Sequence, residues 1–254
     1  MYDYVIIGSG LSGLNTARLL SEKYNDKKIC ILEKNKYIGG LIQTKYLNIT
    51  KKRKVIKNKT RKKKYKIKYE SGGAVLFDYQ KNMLNLVKKY NIKVNKIPLD
   101  KKGRHNKDFY DGKKRKYPLG TKTMEKYYKL IKKVFSYMNT KSDSYCRQFT
   151  FEQICLHVLT FKETRFIEYC YGYSGEFRIG NSVVSRKNIE NELFNSKNIL
   201  FFKNWYLNII KSLYNSIKGK VIIKKETILK QFNKKKDIYY LHLNNGNVLK
   251  TKKL

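Results

Sequence analysis

Acidic residues are scarce in this chain: 19 Asp and Glu stand against 58 Lys and Arg, for a net charge of +39. A surface of that kind attracts any polyanion, so nucleic acid and anionic membranes both enter as candidate partners. Metal-ligating side chains are few and dispersed. Cys30, Cys146, Cys155 and Cys170 form no C-x-x-C pair, and His105, His157 and His242 are spread as widely. Zinc-type spacing and a dense disulfide framework are therefore excluded, no metal is expected, and free cytosolic thiols are. Long apolar runs are missing as well, none approaching the roughly 18 residues that cross a bilayer. The first strand begins within a few residues of Met1, which leaves no room for a signal peptide. A soluble cytoplasmic protein is the expectation. No Ser/His/Asp or Cys/His arrangement can be assembled, and His157, within ICLHVL, reads as a core or interface histidine rather than a catalytic base.

What is present supports a folded protein. Hydrophobic residues make up 41% and aromatics 14%, enough for a packed core. A length of 254 residues allows one large domain or two modest ones. The 22 tyrosines suit half-buried positions, where the ring packs and the hydroxyl stays wet. Residues 51–68, KKRKVIKNKTRKKKYKIK, hold twelve basic residues and no acid, yet the chain without them still carries +27. So diffuse an excess reads as compositional drift, since Lys, Asn, Ile and Tyr are all favoured by an AT-rich coding sequence. A nonspecific attraction for polyanions is the expectation, rather than a dedicated groove.

The periodicity opens with YVII at Tyr4–Ile7, a short β-branched run of the kind buried in a parallel sheet. An amphipathic helix follows over Leu11–Tyr24, then a second buried-type strand, KICILE, at Lys28–Glu33. Strand, glycine turn, helix and strand make a right-handed βαβ unit. Residues 51–68 form a charged insertion, a loop or an exposed hairpin. Tyr79–Tyr90 predicts a helix, followed by the strand-like IKVNKI, and residues 99–118 read as irregular. From Thr121 to about Asn195 the pattern is mostly helical, and Asn204–Ile217 is a further amphipathic helix. The tail predicts strands at Val221–Ile223, Ile228–Phe232, Ile238–Leu243 and Val248–Lys252, with Asn245-Gly246 turning the last pair into a hairpin.

The chemistry sits at the amino end. Gly8-Ser9-Gly10-Leu11-Ser12-Gly13 matches G-x-G-x-x-G in its confirming context: a hydrophobic strand before, a helix after, and Glu33 at the end of the next strand. Gly8 permits the sharp turn, Gly10 lets the backbone approach a pyrophosphate, and Gly13 lets the helix pack closely on the strand. The helix start at Leu11, Ser12 and Gly13 offers free N–H groups and a positive dipole end to phosphates. Glu33, with Lys34 beside it, would accept hydrogen bonds from ribose hydroxyls, which disfavours a 2′-phosphate there.

A glycine pair, Gly39-Gly40, follows the glutamate by six residues, and a plain nicotinamide dehydrogenase does not need it. With GSGLSG, then Glu33, then GGLIQT, the amino end resembles the FAD-dependent flavin-containing amine oxidase superfamily. That superfamily includes monoamine and polyamine oxidases, protoporphyrinogen oxidase and phytoene desaturase. Its members usually carry Arg or Lys directly after the pair, where this chain has Leu41. ESGGAVLF, with Gly72, Gly73 and Ala74, looks like the family segment that passes the isoalloxazine ring. The stretch from FFKNWYLNIIKSLY to IYYLHLNNGNVLK is a weaker echo, in which a residue near Ile228 touches the adenine side through its backbone. The likeness spans about 1–95 and 200–254.

The resemblance implies an α/β fold. Residues 1–95 and 200–254 would form an FAD-binding Rossmann-type domain, βαβ with a parallel sheet, ending in a β-hairpin segment. Residues 96–199 would form a mostly helical inserted substrate or cap region. It implies FAD as cofactor, a small-molecule substrate, an amine among the candidates, and hydride transfer from that substrate to flavin N5 with dioxygen as acceptor. Family members run longer, so a missing C-terminal part is expected, and with it the segment that caps the flavin; no catalytic side chain is assigned. A catalytically inactive or truncated dinucleotide-binding protein stays open, as does a basic nucleic-acid binder retaining the fold. Around YCYGYSGEF, Glu168 to Glu176 reads as a helix–turn boundary, with a cation pocket as the alternative.

Overall fold

The structure is a computed structural model that describes residues 1–55, 59–73, 75–98 and 121–254, with the side chains of residues 51–63 and 121–124 left aside. The chain divides into two compact units. The first comprises Met1–Leu76, Gln80–Asn95 and Leu200–Leu254, and the second Phe77–Tyr79 and Lys96–Ile199. The stretch read as irregular, 99–118, and His105 within it lie outside the described residues.

The first unit is built on β1 (Tyr2–Ile7), α1 (Leu11–Lys23) and β2 (Ile29–Leu32), the expected βαβ arrangement with β1 and β2 parallel. The chain continues through β3 (Thr44–Val55), β4 (Lys59–Glu70), β5 (Leu76–Phe77), α2 (Lys81–Lys89) and β6 (Val94–Pro98). Every residue of β2 is buried, as its unbroken apolar run requires of a strand covered on both faces. Alternation then splits it. Ile31 joins Leu14, Ala17, Ile209, Ile210, Leu213 and others on the helical side, while Cys30 and Leu32 join Val5, Leu241 and Leu243 on the other.

The second unit holds α3 (Thr121–Asn139), α4 (Asp143–Cys146), α5 (Phe151–Leu156), α6 (Phe161–Tyr171), α7 (Ser174–Arg178) and α8 (Ser182–Glu190), with one π-helical turn over Asn191–Asn195. Its core gathers Tyr127, Ile131, Val134, Phe151, Ile154, Ile167, Phe177 and Ile189. Capping boxes start two of these helices: Thr150 with Gln153, and Thr160 with Glu163. Gly172, at φ +78°, ends α6 in the left-handed conformation.

The chain then runs through β7 (Asn198–Phe202) and α9 (Leu207–Ile217) to β8 (Val221–Lys224), β9 (Leu229–Lys235), β10 (Ile238–Leu243) and β11 (Val248–Lys253). These tail strands belong to the main sheet, whose order is β8-β2-β1-β11-β10-β9. Strands β8, β2, β1 and β11 are mutually parallel and β9–β10–β11 form an antiparallel meander. The molecule is thus α/β, a Rossmann-like sheet with helices. A three-stranded sheet, β5-β7-β6, and a two-stranded ribbon, β3-β4, complete the strands. No helix of the described residues is long and apolar enough to cross a membrane.

Candidate functional site

Three backbone segments converge beyond the carboxyl ends of β1 and β2. The turn after β1 begins at Gly8, whose φ of +92° suits only glycine and whose N–H donates to Leu32 O at 2.7 Å. Gly13 sits so close to this turn that a Cβ on it would lie 2.0 Å from Gly8 O. The close helix–strand packing expected of the third glycine is therefore present. Gly39-Gly40 folds back against the same turn: Gly39 N–H donates to Ser9 O at 2.9 Å, and a Cβ on Gly40 would stand 3.1 Å from Gly10 Cα. The absence of side chains at the pair lets this segment lie flat on the Gly8–Gly10 turn.

Gly10 itself is different. Its φ is −69°, which any residue adopts, and the nearest heavy atom to an added Cβ is 3.9 Å away. Nothing in the chain's own packing requires glycine there. Gly10 faces a cleft of about 400 Å³, whose walls also include Gly8, Gly40, Glu33, Lys34, Asn35 and Thr227–Leu229. Gly10 is also the N-cap of α1, which starts without a side-chain cap, and the first-turn amides of any helix lack an intrahelical acceptor.

Glu33 is 3% exposed, yet it is kept charged. Burial pushes its pKa up, but the Ser9 hydroxyl and the Asn35 and Ser9 amides outweigh that and leave it below the ordinary carboxylate value. Oε2 accepts from Ser9 N at 2.8 Å and from Ser9 Oγ at 2.6 Å, and Oε1 accepts from Asn35 N at 2.8 Å. A carboxylate can accept about four hydrogen bonds. The Asn35 side chain also hydrogen-bonds the carboxylate, so Glu33 is held from several sides. Ser9 and Asn35, which hold the carboxylate in place, were not legible from the sequence, because both occupy unconstrained positions in the motif.

Of the residues singled out from sequence, Gly8, Gly10, Glu33, Lys34, Gly40 and Ile228 line the cleft. Leu11, Ser12 and Gly13 form the first turn of α1, and Gly39 lies behind Gly40. Leu41 is 86% exposed and outside the cleft walls. Gly72 and Gly73 are also outside them. A Cβ on Gly72 would strike Leu41 O at 1.9 Å, and the flat ring that Gly73 lies against is the chain's own Tyr206, 3.2 Å from an added Cβ. Ala74 lies outside the described residues. Ile228 lines the cleft, but its N–H already donates to Asn244 Oδ1 at 2.9 Å and its carbonyl accepts from Asn244 N at 2.9 Å. The N–H is thereby engaged, while the carbonyl keeps a second lone pair.

Elsewhere, Tyr206 closes a second depression of about 250 Å³ with Glu70, Phe201, Phe202 and Trp205. Burial, then the nearby Glu70 carboxylate, pushes the Tyr206 hydroxyl up to about 12. In the helical unit, Glu168 is gripped by Arg165 and Arg178, with Arg178 Nε at 2.5 Å. The cleft beside it is lined by both guanidiniums, so it is no cation pocket, and the helix–turn boundary is what the structure shows there. His157 is exposed at the end of α5, not in the core, with Tyr137 Oη 3.4 Å from Nδ1. The core half of that expectation fails because His157 is the C-cap of a short helix, where apolar neighbours in sequence do not fix burial. Among the described residues no group of three His, Cys, Asp or Glu could hold a metal.

Residues 6–90 match the family model described as an NAD(P)-binding Rossmann-like domain. The fold is a dinucleotide-binding one. Among solved structures, a triple mutant of putrescine oxidase with redesigned cofactor binding aligns at a TM-score of 0.61 and 11% identity, covering 99% of this chain and 56% of that one. A double mutant of the same redesign aligns at 0.61 and 10%, with the same coverage. The chain thus spans little more than half the length of these structures. No curated protein matches it.

Proposed function

We propose that the chain binds FAD and acts as a flavin-dependent oxidoreductase of the amine oxidase type. In this reading the diphosphate lies on the amides of Leu11, Ser12 and Gly13, passing Gly10 and Gly40, and the ribose meets Glu33 at the cleft wall. The observation that carries it is Gly10: its backbone angle and surroundings tolerate a side chain, and the only thing a Cβ there would obstruct is the cleft. An ionised Glu33 held by Ser9 and Asn35 supports a ribose diol over a 2′-phosphate. The shared fold with putrescine oxidase supports FAD as the dinucleotide and an amine as the small-molecule substrate.

When bound, the flavin would supply hydride-accepting chemistry: the C–H bond on the carbon bearing the amine nitrogen is broken, an iminium is left, and the electron pair goes on to dioxygen as hydrogen peroxide. The chain's own contribution is to bind and orient: residues 1–95 and 200–254 as the FAD-binding part, and 96–199 as the substrate or cap part. Because the chain spans only 56% of the redesigned oxidase's length, nucleotide binding without turnover is the second reading. Purified protein decides between them. Bound flavin released on denaturation, with Gly10→Val and Glu33→Ala each weakening FAD binding at least tenfold, supports the reading; flavin bound equally by both variants overturns it. Peroxide formed on addition of a diamine separates an oxidase from a binder.

A further inference from the structure

The ribbon β3-β4 carries a feature that nucleotide binding does not use. Its register is regular from Thr44↔Glu70 to Val55↔Lys59, so two strands of twelve residues run side by side for roughly 40 Å. They form a two-stranded sheet by themselves, and a lone ribbon of that kind is at best marginally stable in water. Residues 44–70 hold thirteen Lys and Arg and one acid, Glu70. The backbone register pairs Lys51 with Lys63, Lys52 with Lys62 and Arg53 with Arg61, so the basic residues are shared between the two strands. Both facts ask for an anionic partner.

The two faces of the ribbon identify which. Pairing and the two-residue repeat place Leu47 with Ile67, Ile49 with Tyr65, and Tyr69 opposite Lys45, all on one face. These five apolar or aromatic side chains are between 39% and 51% exposed, forming a contiguous patch framed by cations. The other face presents Tyr46, Asn48, Lys64, Lys66 and Lys68, with Lys66 Nζ 4.4 Å from the Tyr46 ring centre and Lys68 Nζ 4.4 Å from that of Trp205.

We infer that the ribbon is a docking arm for an anionic lipid surface. Its apolar face would enter the boundary between headgroups and acyl chains while the lysines meet lipid phosphates and carboxylates from both edges. Tyrosines at that depth suit the interface. A nucleic acid would use the cations but leave Leu47, Ile49 and Ile67 unexplained, since aliphatic side chains offer nothing to a phosphate or a base edge. A second copy of the same ribbon is disfavoured by its own charge.

Vesicle flotation of the purified protein tests this. Binding to phosphatidylcholine vesicles containing roughly a third phosphatidylserine should be at least tenfold tighter than to phosphatidylcholine alone, and should fall as salt is raised. The charge-neutral pair Leu47→Thr and Ile67→Thr, which keeps strand propensity, should lose about tenfold while retaining the parent's circular dichroism. Lys64→Gln with Lys66→Gln and Lys68→Gln should lose more than the same change at Lys234, Lys235 and Lys236. Failure of the parent to bind phosphatidylserine vesicles overturns the assignment. So does a Thr pair that binds them as the parent does, because general charge attraction would then suffice. Protein that ignores vesicles but binds duplex DNA with a defined site size, unaltered in the Thr pair, assigns the ribbon to nucleic acid instead.

Discussion

Gly10 and Gly13 lie three residues apart, yet one is demanded by the protein and the other is not. At Gly13 a methyl group meets Gly8 O at 2.0 Å, so Gly13→Ala must push backbone aside. Overpacking of that kind costs about 1–3 kcal/mol, more than the roughly 0.5–1 kcal/mol that alanine ordinarily gains over glycine in a helix. Urea denaturation should show Gly13→Ala less stable than the parent and Gly10→Ala unchanged, with nucleotide affinity falling in Gly10→Ala alone among stable variants. A second pair of opposites is acidic. Hydrogen bonds hold Glu33 below the ordinary carboxylate value, whereas burial, and then the Glu176 carboxylate, raise that of Glu192. A carboxyl raised in the folded state binds its proton more tightly there than in the unfolded chain, so its contribution is full at low pH and fades as pH rises through the folded value. Glu192→Gln should therefore be more stable than the parent at pH 7, and the gap should close on acidification toward the unfolded carboxylate pKa of about 4.3. Glu33 carries the opposite sign: its stabilising share is present above that value and lost as pH falls.

At the level of elements, local signals were legible and non-local ones were not. The βαβ start, α2, α9 and the tail hairpin each follow from a periodicity or a turn residue visible in a dozen residues, and Gly246 at φ +80° turns the last hairpin as the Asn-Gly pair implied. The ribbon begins at Thr44, before the basic run that marks it, because its strands are defined by cross-strand pairing 26 residues apart at the base. β7, NILFF, was hidden behind a helical pattern that ends in a π turn only two residues upstream. The main cleft was largely foreseeable from glycine spacing, but its fixing contacts were not: Ser9, Asn35 and Asn244 act through individual hydrogen bonds that leave no periodic pattern. In the helical unit the capping boxes give a clean element-scale test. Thr160 accepts from Glu163 N at 3.3 Å and donates to Glu163 Oε2 at 2.9 Å. Thr160→Ala should lower stability by about 1 kcal/mol, read by denaturant unfolding, without altering nucleotide affinity.

Across the whole molecule, the proposed cofactor contacts belong to one of two compact units. A ligand that binds only the folded state stabilises it by about 2.7 kcal/mol at a hundred times its Kd. Hydrogen exchange in saturating FAD should therefore slow amides in α1, β2 and residues 227–229. Amides of α5 and α6 should gain less protection. Uniform protection of both units would mean that the two open together, and no protection in α1 would count against nucleotide binding there.

The main sheet also imposes an order on synthesis. Strand β1 emerges first, but one of its two neighbours is β11, with Tyr2 beside Thr251. A ribosome must therefore deliver the residues up to Thr251 before β1 finds that partner, and until then an open edge stays available to any passing polypeptide. Pairing across such a separation is slow to form. Nascent chains should depend on a chaperone that shields strand edges, and cell-free translation without one should shift the product into the pellet.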